Sequence, residues 1–149
     1  MPRLLDPVAA RLAQLELDQQ GNAAFNLDER LLAIRADLHP GQLAFVDDAS
    51  TEILGISAGY GAGKTRALCA KAVMLAAANQ GFIGAVMEPT GPLIRDIWQN
   101  DFEQFLETYE IPYTFRASPL PEYMLHLPGG DTKILCRSFE NWRDRKSVV

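Results

Sequence analysis

One glycine-rich segment constrains the fold of this chain more than any other part of its sequence. It consists of Ala58, Gly59, Tyr60, Gly61, Ala62, Gly63, Lys64 and Thr65. The pattern A/G-x-x-x-x-G-K-S/T is typical of a tight bend between a strand and a helix. Residues 53–56 ahead of it are apolar and have the length of a buried strand, and residues 64–79 are rich in alanine and leucine. We therefore predict a strand, a bend and a helix in that order.

The residue types in the glycine-rich segment suit the phosphates of a nucleotide. Side chains at Gly59, Gly61 and Gly63 would obstruct a loop that wraps a triphosphate, and glycine permits the positive φ angles that turn N–H groups inward. The following helix adds unpaired N–H groups and a partial positive charge. Lys64 can reach the β- and γ-phosphates, and Thr65 offers a hydroxyl to Mg²⁺. The alternative is a glycine-rich turn with an exposed lysine.

The sequence after this segment predicts a parallel sheet flanked by helices. Residues 82–87 have the composition of a strand, and residues 93–109 that of an amphipathic helix. Strand, helix, strand, helix is the order of βαβ units, which places the fold in the α/β class. The predicted apolar side of the second helix consists of Ile94, Ile97, Trp98, Phe102, Phe105 and Leu106.

The last third of the chain predicts antiparallel structure. Residues 113–116 form a possible strand. Residues 123–127 and 132–136 flank a Pro-Gly-Gly-Asp sequence, which predicts a C-terminal β-hairpin with a four-residue turn.

The first 38 residues predict a helical N-terminal extension. Asp6 and Pro7 have the pattern of an N-cap followed by proline at the first helical position. A second short helix is expected to begin at Asp28 and to end near Pro40. Residues 1–50 hold four basic and eight acidic side chains and are not expected to contact phosphate, and the whole chain carries a net charge of −5. That charge argues against tight DNA binding by this chain alone.

Apolar patterning and cysteine usage exclude other classes. The longest weakly polar stretch, residues 67–78, contains Lys71 and is far shorter than the ~20 apolar residues of a membrane span. Cys69 and Cys136 lie far apart, and neither His39 nor His126 is near enough in sequence to complete a metal site. We therefore expect no membrane association and two reduced thiols in a cytoplasmic protein.

Residues 39–139 resemble the ATPase domain of the large terminase subunit of tailed bacteriophages. The resemblance covers about two-thirds of the chain. The series of motifs in this order is more specific than the glycine-rich segment alone. It is carried by residues 38–45, 57–65, 88–90, 93–96, 127–130 and 137–141. It implies a P-loop NTPase-type sheet in a partial ATPase domain over residues 39–149, which binds ATP and Mg²⁺ and drives DNA into a capsid. It also implies the host cytoplasm as location.

The resemblance assigns further roles to individual residues. Gln42 matches a glutamine that recognises adenine, a role that suits a carboxamide because it both donates and accepts hydrogen bonds. The alternative is an exposed helix residue. Thr90 matches a position that faces or couples to nucleic acid, with a simple turn residue as the alternative. Arg95 is expected on a solvated helix face, with a DNA contact as the alternative, and Asp96 is expected on the surface. The implied partners are double-stranded DNA, the portal protein and the small terminase subunit.

The chain departs from the family pattern in its second half. No later apolar strand ends in the paired carboxylates that hold Mg²⁺ and polarise water; Glu140 and Glu88 are weak stand-ins. Tyr60 stands where many family members have arginine. The family's Arg-Gly turn is missing after Arg143 and Arg145.

These departures leave several interpretations open. The sequence predicts the ATP-binding part of a truncated terminase, weak or inactive alone, which a C-terminal fragment could complement. A helicase-like P-loop ATPase and a non-catalytic, nucleotide-binding remnant are the alternatives.

Overall fold

The computed structural model describes residues 25–142. The helix predicted near the N-terminus, after Asp6, lies outside these residues. The described helices are α1 (Leu27–Ala36), α2 (Pro40–Asp47), α3 (Lys64–Ala78), α4 (Gly91–Leu93), a π-helical segment (Ile94–Gln99), α5 (Asn100–Thr108) and a 3₁₀ turn (Phe139–Trp142). The strands are β1 (Ile83–Glu88), β2 (Tyr113–Arg116), β3 (Glu122–Leu127) and β4 (Gly130–Ser138).

The four strands form one open mixed sheet in the order β1-β4-β3-β2. Only β1 and β4 are parallel, with Ile83 opposite Lys133 and Glu88 opposite Ser138. The pairs β3–β4 and β2–β3 are antiparallel. The α/β class is therefore confirmed, but the sheet is only partly parallel. Its second half is the predicted hairpin extended by β2.

The prediction of a strand at residues 53–56 is wrong. These residues belong to no helix or strand, and Ile53 is 92% exposed. A short apolar run becomes a strand only where a neighbouring strand supplies hydrogen-bond partners. In the described part of the chain β1 pairs with β4 alone, so its other edge lies open.

The hairpin turn is tighter than predicted. Leu127 pairs with Gly130, so Pro128 and Gly129 alone form the connection. Gly130 has a φ of 141°, which a residue with a side chain rarely adopts. Along β3 and β4 buried and half-buried residues alternate, as the period-two geometry of a strand requires.

The core lies between the sheet and the helices α3 and α5. Its centre is aromatic: the rings of Trp98 and Phe102 stack at 4.9 Å, and Tyr123 meets Phe102 edge-on at 5.1 Å. The predicted apolar side of the 93–109 helix is buried except at Ile97, which is 47% exposed. The π-helical segment widens the turn there and shifts the buried face away from Ile97.

One apolar area of the fold is open. A groove of about 400 Å³ lies between the C-terminal half of α3 and the beginning of β1, where Phe82 and Ile83 are largely exposed. Among residues 25–142, no helix is both long enough and apolar enough to cross a bilayer.

Candidate functional site

The glycine-rich segment forms a bend that leads directly into α3. Gly61 and Gly63 have φ angles of 75° and 82°, which only glycine adopts without strain. The N–H of Ala62 donates to the carbonyl of Gly59 at 3.3 Å, which closes the turn. Gly63 is the N-cap of α3, and no side chain caps this helix end. The first N–H groups of a 15-residue helix therefore face the bend.

The bend is accessible from solvent. Ala58, Gly59, Tyr60, Gly61 and Ala62 are all exposed, and a Cβ added at Gly59 or Gly61 would meet nothing within 4 Å. Gly63, Lys64 and Thr65 are half-buried. Tyr60 points away from protein contacts and is fully exposed. The segment is thus bent and open rather than extended or covered by other chain.

Lys64 lies folded over the bend. Its Nζ donates to the carbonyls of Ala58 at 2.6 Å and Gly59 at 2.9 Å. The ammonium group is therefore held inside the curve of the glycine-rich segment by two neutral acceptors. An anion in the curve would offer this ammonium an oppositely charged acceptor, which adds Coulomb attraction to the hydrogen bond.

Gln42 lies beneath the segment rather than in open space. It is 4% exposed, and both ends of its amide have partners. Its Oε1 accepts from the N–H of His39 at 3.1 Å, and its Nε2 donates to the carbonyl of Gly63 at 2.9 Å. The structure thus brings Gln42 to the predicted site, but its described contacts are with protein backbone.

His39 is a site residue that the sequence analysis did not single out beyond excluding it from a metal site. It is the N-cap of α2, with Nδ1 accepting from the N–H of Gln42 at 3.3 Å. Its Nε2 lies 3.3 Å from the carbonyl of Ala62. The spacing of a cap residue, proline and a glutamine three positions later was a signal for this helix start. This helix start is hard to recognise from the sequence because histidine is not among the preferred N-cap residues.

A network of three polar side chains, Arg66, Tyr109 and Asp37, holds the first turn of α3. Arg66 Nη2 donates to Tyr109 Oη at 2.7 Å, and Tyr109 Oη donates to Asp37 Oδ2 at 2.7 Å. Burial, followed by the bond to Asp37, raises the pKa of the Tyr109 hydroxyl. The network joins the end of α1, the beginning of α3 and the end of α5. The described hydrogen bond of the Arg66 side chain is thus with Tyr109 and not with the bend.

The chain before the bend is also held in place. Asp48, which follows α2, accepts from the backbone N–H groups of Ser50 and Thr51 at 3.0 Å each. These bonds, with the Thr51 hydroxyl as the largest contribution, lower the pKa of Asp48 to about 2. Lys71 on α3 donates to the carbonyls of Val46 and Asp48 at 3.0 and 2.5 Å. The end of α2 is thereby tied to α3.

The remaining predicted residues lie away from the bend or have structural partners. Thr90 caps α4 through its hydroxyl, which accepts from Leu93 N–H at 3.4 Å. Arg95 and Asp96 are exposed, as expected. β4 ends before Glu140, whose Oε2 lies 3.5 Å from Gly91 N–H. Within residues 25–142, no three His, Cys, Asp or Glu side chains are grouped to hold a metal ion.

Comparison of the chain with protein-family models, curated proteins and solved structures gave no match.

Proposed function

We propose that residues 58–65 bind the phosphates of ATP with Mg²⁺, and that this chain is the ATP-binding part of a phage DNA-packaging terminase large subunit. The observation that supports the binding site is the exposed bend at Gly61 and Gly63, which ends in the free N-terminus of α3 with Lys64 inside the curve. Backbone N–H groups, helix N-terminus and ammonium act together on a compact polyanion.

Each residue of the bend has a definable part in binding. Gly61 and Gly63 allow the backbone to curve, and Lys64 exchanges the carbonyls of Ala58 and Gly59 for phosphate oxygens. At ~4 Å and an effective dielectric of ~20, one such charge pair contributes about 4 kcal/mol before desolvation. The two bonds that Lys64 gives up are charge-assisted and contribute about 1.5–3 kcal/mol each. One phosphate charge therefore only offsets them, and the net gain comes from the several charges of a triphosphate.

Thr65 fits a Mg²⁺ ion that accompanies the phosphates. Its side chain is half-buried in the first turn of α3, directly after Lys64. Mg²⁺ needs few protein ligands because it keeps waters and phosphate oxygens in its shell. When bound, the ion neutralises phosphate charge. Hydrolysis of ATP and translocation of DNA need further groups, and this part of the proposal rests on the sequence resemblance.

A titration of the chain with a fluorescent ATP analogue tests the binding site. We expect binding by the wild type in the presence of Mg²⁺, and at least tenfold weaker binding by Lys64→Ala. Thr65→Ala should lose most of the Mg²⁺ dependence. Lys133→Ala is the matched control, because it removes the same charge from β4, where Lys133 lies 3.7 Å from Glu122.

The outcome that contradicts the proposal is equal binding by wild type and Lys64→Ala, or no binding by the folded wild type. The terminase assignment has a separate test. Addition of the wild-type chain, but not of Lys64→Ala, should restore ATP-dependent packaging to an extract that lacks large-subunit ATPase function. Failure there with intact ATP binding would leave a nucleotide-binding protein of another kind.

A further inference from the structure

We propose that His39 and Gln42 are positioning residues that hold the glycine-rich segment in its phosphate-binding shape. This inference rests on the proposed function of residues 58–65. It assigns to Gln42 a role different from adenine recognition, and it gives His39 a role that the sequence did not suggest. Both residues belong to the N-terminal capping box of α2, and both reach from that box to backbone carbonyls of the bend.

The two contacts fall on consecutive peptide groups. Gln42 Nε2 donates to the carbonyl of Gly63 at 2.9 Å, and His39 Nε2 lies 3.3 Å from the carbonyl of Ala62. In a trans peptide the C=O of one residue points opposite to the N–H of the next. Carbonyls held toward α2 therefore direct the N–H groups of Gly63 and Lys64 away from α2. These are the N–H groups that an anion at the start of α3 would use.

The partners of His39 define its tautomer. Nδ1 accepts from Gln42 N–H, so the proton of a neutral ring lies on Nε2, which then donates to the Ala62 carbonyl. One imidazole thus uses both nitrogens, one within the capping box and one on the bend. The side chain of asparagine could replace the first contact but is too short to replace the second.

The amide of Gln42 has the same double use. Oε1 accepts from His39 N–H within the capping box, and Nε2 donates to Gly63. Gln42 is one of three buried polar residues among those described, and its partner across the contact is a glycine. A Cβ at Gly63 would overlap Gln42 Nε2. An amide that is buried and bonded at both ends has little freedom left to read the edge of a base.

The experiment compares two ligands on three variants of the full chain. The ligands are ATP and inorganic tripolyphosphate, which share the phosphates but not the adenine. The variants are Gln42→Met, which is similar in size but forms neither bond, His39→Asn, which keeps only the helix cap, and the control Gln104→Met on an exposed part of α5. Hydrogen exchange at the amides of Ala62 and Ala67 reports the bend itself, because these amides bond to Gly59 and Gly63.

We expect Gln42→Met to weaken ATP and tripolyphosphate by the same factor, about five- to tenfold, which corresponds to one net hydrogen bond. Exchange at Ala62 and Ala67 should rise by a similar factor. His39→Asn should likewise weaken both ligands equally and raise exchange at both amides. It tests the inference independently if Gln42→Met fails to fold. Gln104→Met should change neither measurement.

Two results would overturn the inference. Weaker binding of ATP with unchanged binding of tripolyphosphate would show that Gln42 acts on adenine. Unchanged amide exchange in both Gln42→Met and His39→Asn would show that neither residue holds the bend. If the wild type binds neither ligand, the proposed function fails, and the exchange data alone decide whether the two residues position this backbone.

Discussion

Gly61 and Gly63 both have a positive φ, but only Gly63 contacts Gln42. Alanine substitution at Gly61 therefore serves as a control for the same substitution at Gly63. Gly61→Ala and Gly63→Ala both force alanine into a positive φ, 75° and 82° respectively. An alanine in this region costs about 1–2 kcal/mol. A Cβ at position 61 meets nothing within 4 Å, whereas one at position 63 overlaps Gln42 Nε2. Any difference between the two variants therefore reports the displacement of Gln42.

The size of that difference follows from the contacts of Gln42. If its amide moves, the bond to the Gly63 carbonyl is lost, and a buried amide left without a partner costs about 1–3 kcal/mol. We expect Gly61→Ala to lower the free energy of unfolding by about 1–2 kcal/mol and Gly63→Ala by about 2–5 kcal/mol. The difference should therefore be about 1–3 kcal/mol.

Urea unfolding followed by tryptophan fluorescence measures the free energy of unfolding of both variants. We expect their m-values to equal that of the wild type, so that a shift of the midpoint reports a change in stability. Gly59→Ala is a further control, because Gly59 has no positive φ and no neighbour within 4 Å of an added Cβ. It should lie within about 0.5 kcal/mol of wild type, as expected for surface changes. Equal destabilisation by Gly61→Ala and Gly63→Ala would refute the argument that Gln42 packs against the bend.

Three further predictions test the core and the titrating groups. Phe102→Ala should lower the free energy of unfolding by about 3–5 kcal/mol in the same urea assay, because Phe102 is fully buried between two aromatic rings; a loss below 1 kcal/mol would contradict this packing. Burial raises the pKa of the Cys69 thiol to about 12, with a smaller effect of the nearby Asp101 carboxylate, and that of the Cys136 thiol to about 11. Both thiols should therefore react with iodoacetamide at pH 8 far more slowly in the folded chain than in urea. Fast labelling of the folded chain would refute their burial. The pKa of Asp48 is lowered to about 2 by the Thr51 and Ser50 bonds, so its stabilisation is present above the ordinary carboxyl pKa and is lost as the pH falls from about 4 to about 2. Asp48→Ala should therefore be less stable than wild type at pH 7, and the gap should narrow as the pH falls to 2 and below. A gap that does not change with pH would count against this.

Elements with strong local signals were predictable from the sequence. The helix from Lys64 ends at Ala78, and the strand predicted at 113–116 has those bounds. Alanine-rich composition and alternating residues act within one element, so neighbours in sequence suffice to specify them. The hairpin was recognisable because proline and glycine mark a turn, although its two-residue length depends on the register of β3 and β4.

Features that depend on distant partners were not predictable. Residues 53–56 look like a buried strand, but they form none although one edge of β1 is open within residues 25–142, and their own sequence does not show whether they pair with that edge. The candidate site shows the same limit. The bend could be predicted because glycine and lysine spacing is local. The contacts of Gln42 and His39 with Gly63 and Ala62 could not, because an amide or an imidazole in a sequence gives no sign of which carbonyl it will meet.

The pairing of β1 with β4 has a consequence for the order of folding. The hairpin partners Leu127 and Gly130 are nearly adjacent in the chain, whereas Ile83 must find Lys133 across the whole span of α5, β2 and β3. Closing that long loop loses more chain entropy, and non-local pairing is slow to form. We therefore expect the antiparallel strands to pair first, and β1, which follows α3 in the chain, to join the sheet afterwards.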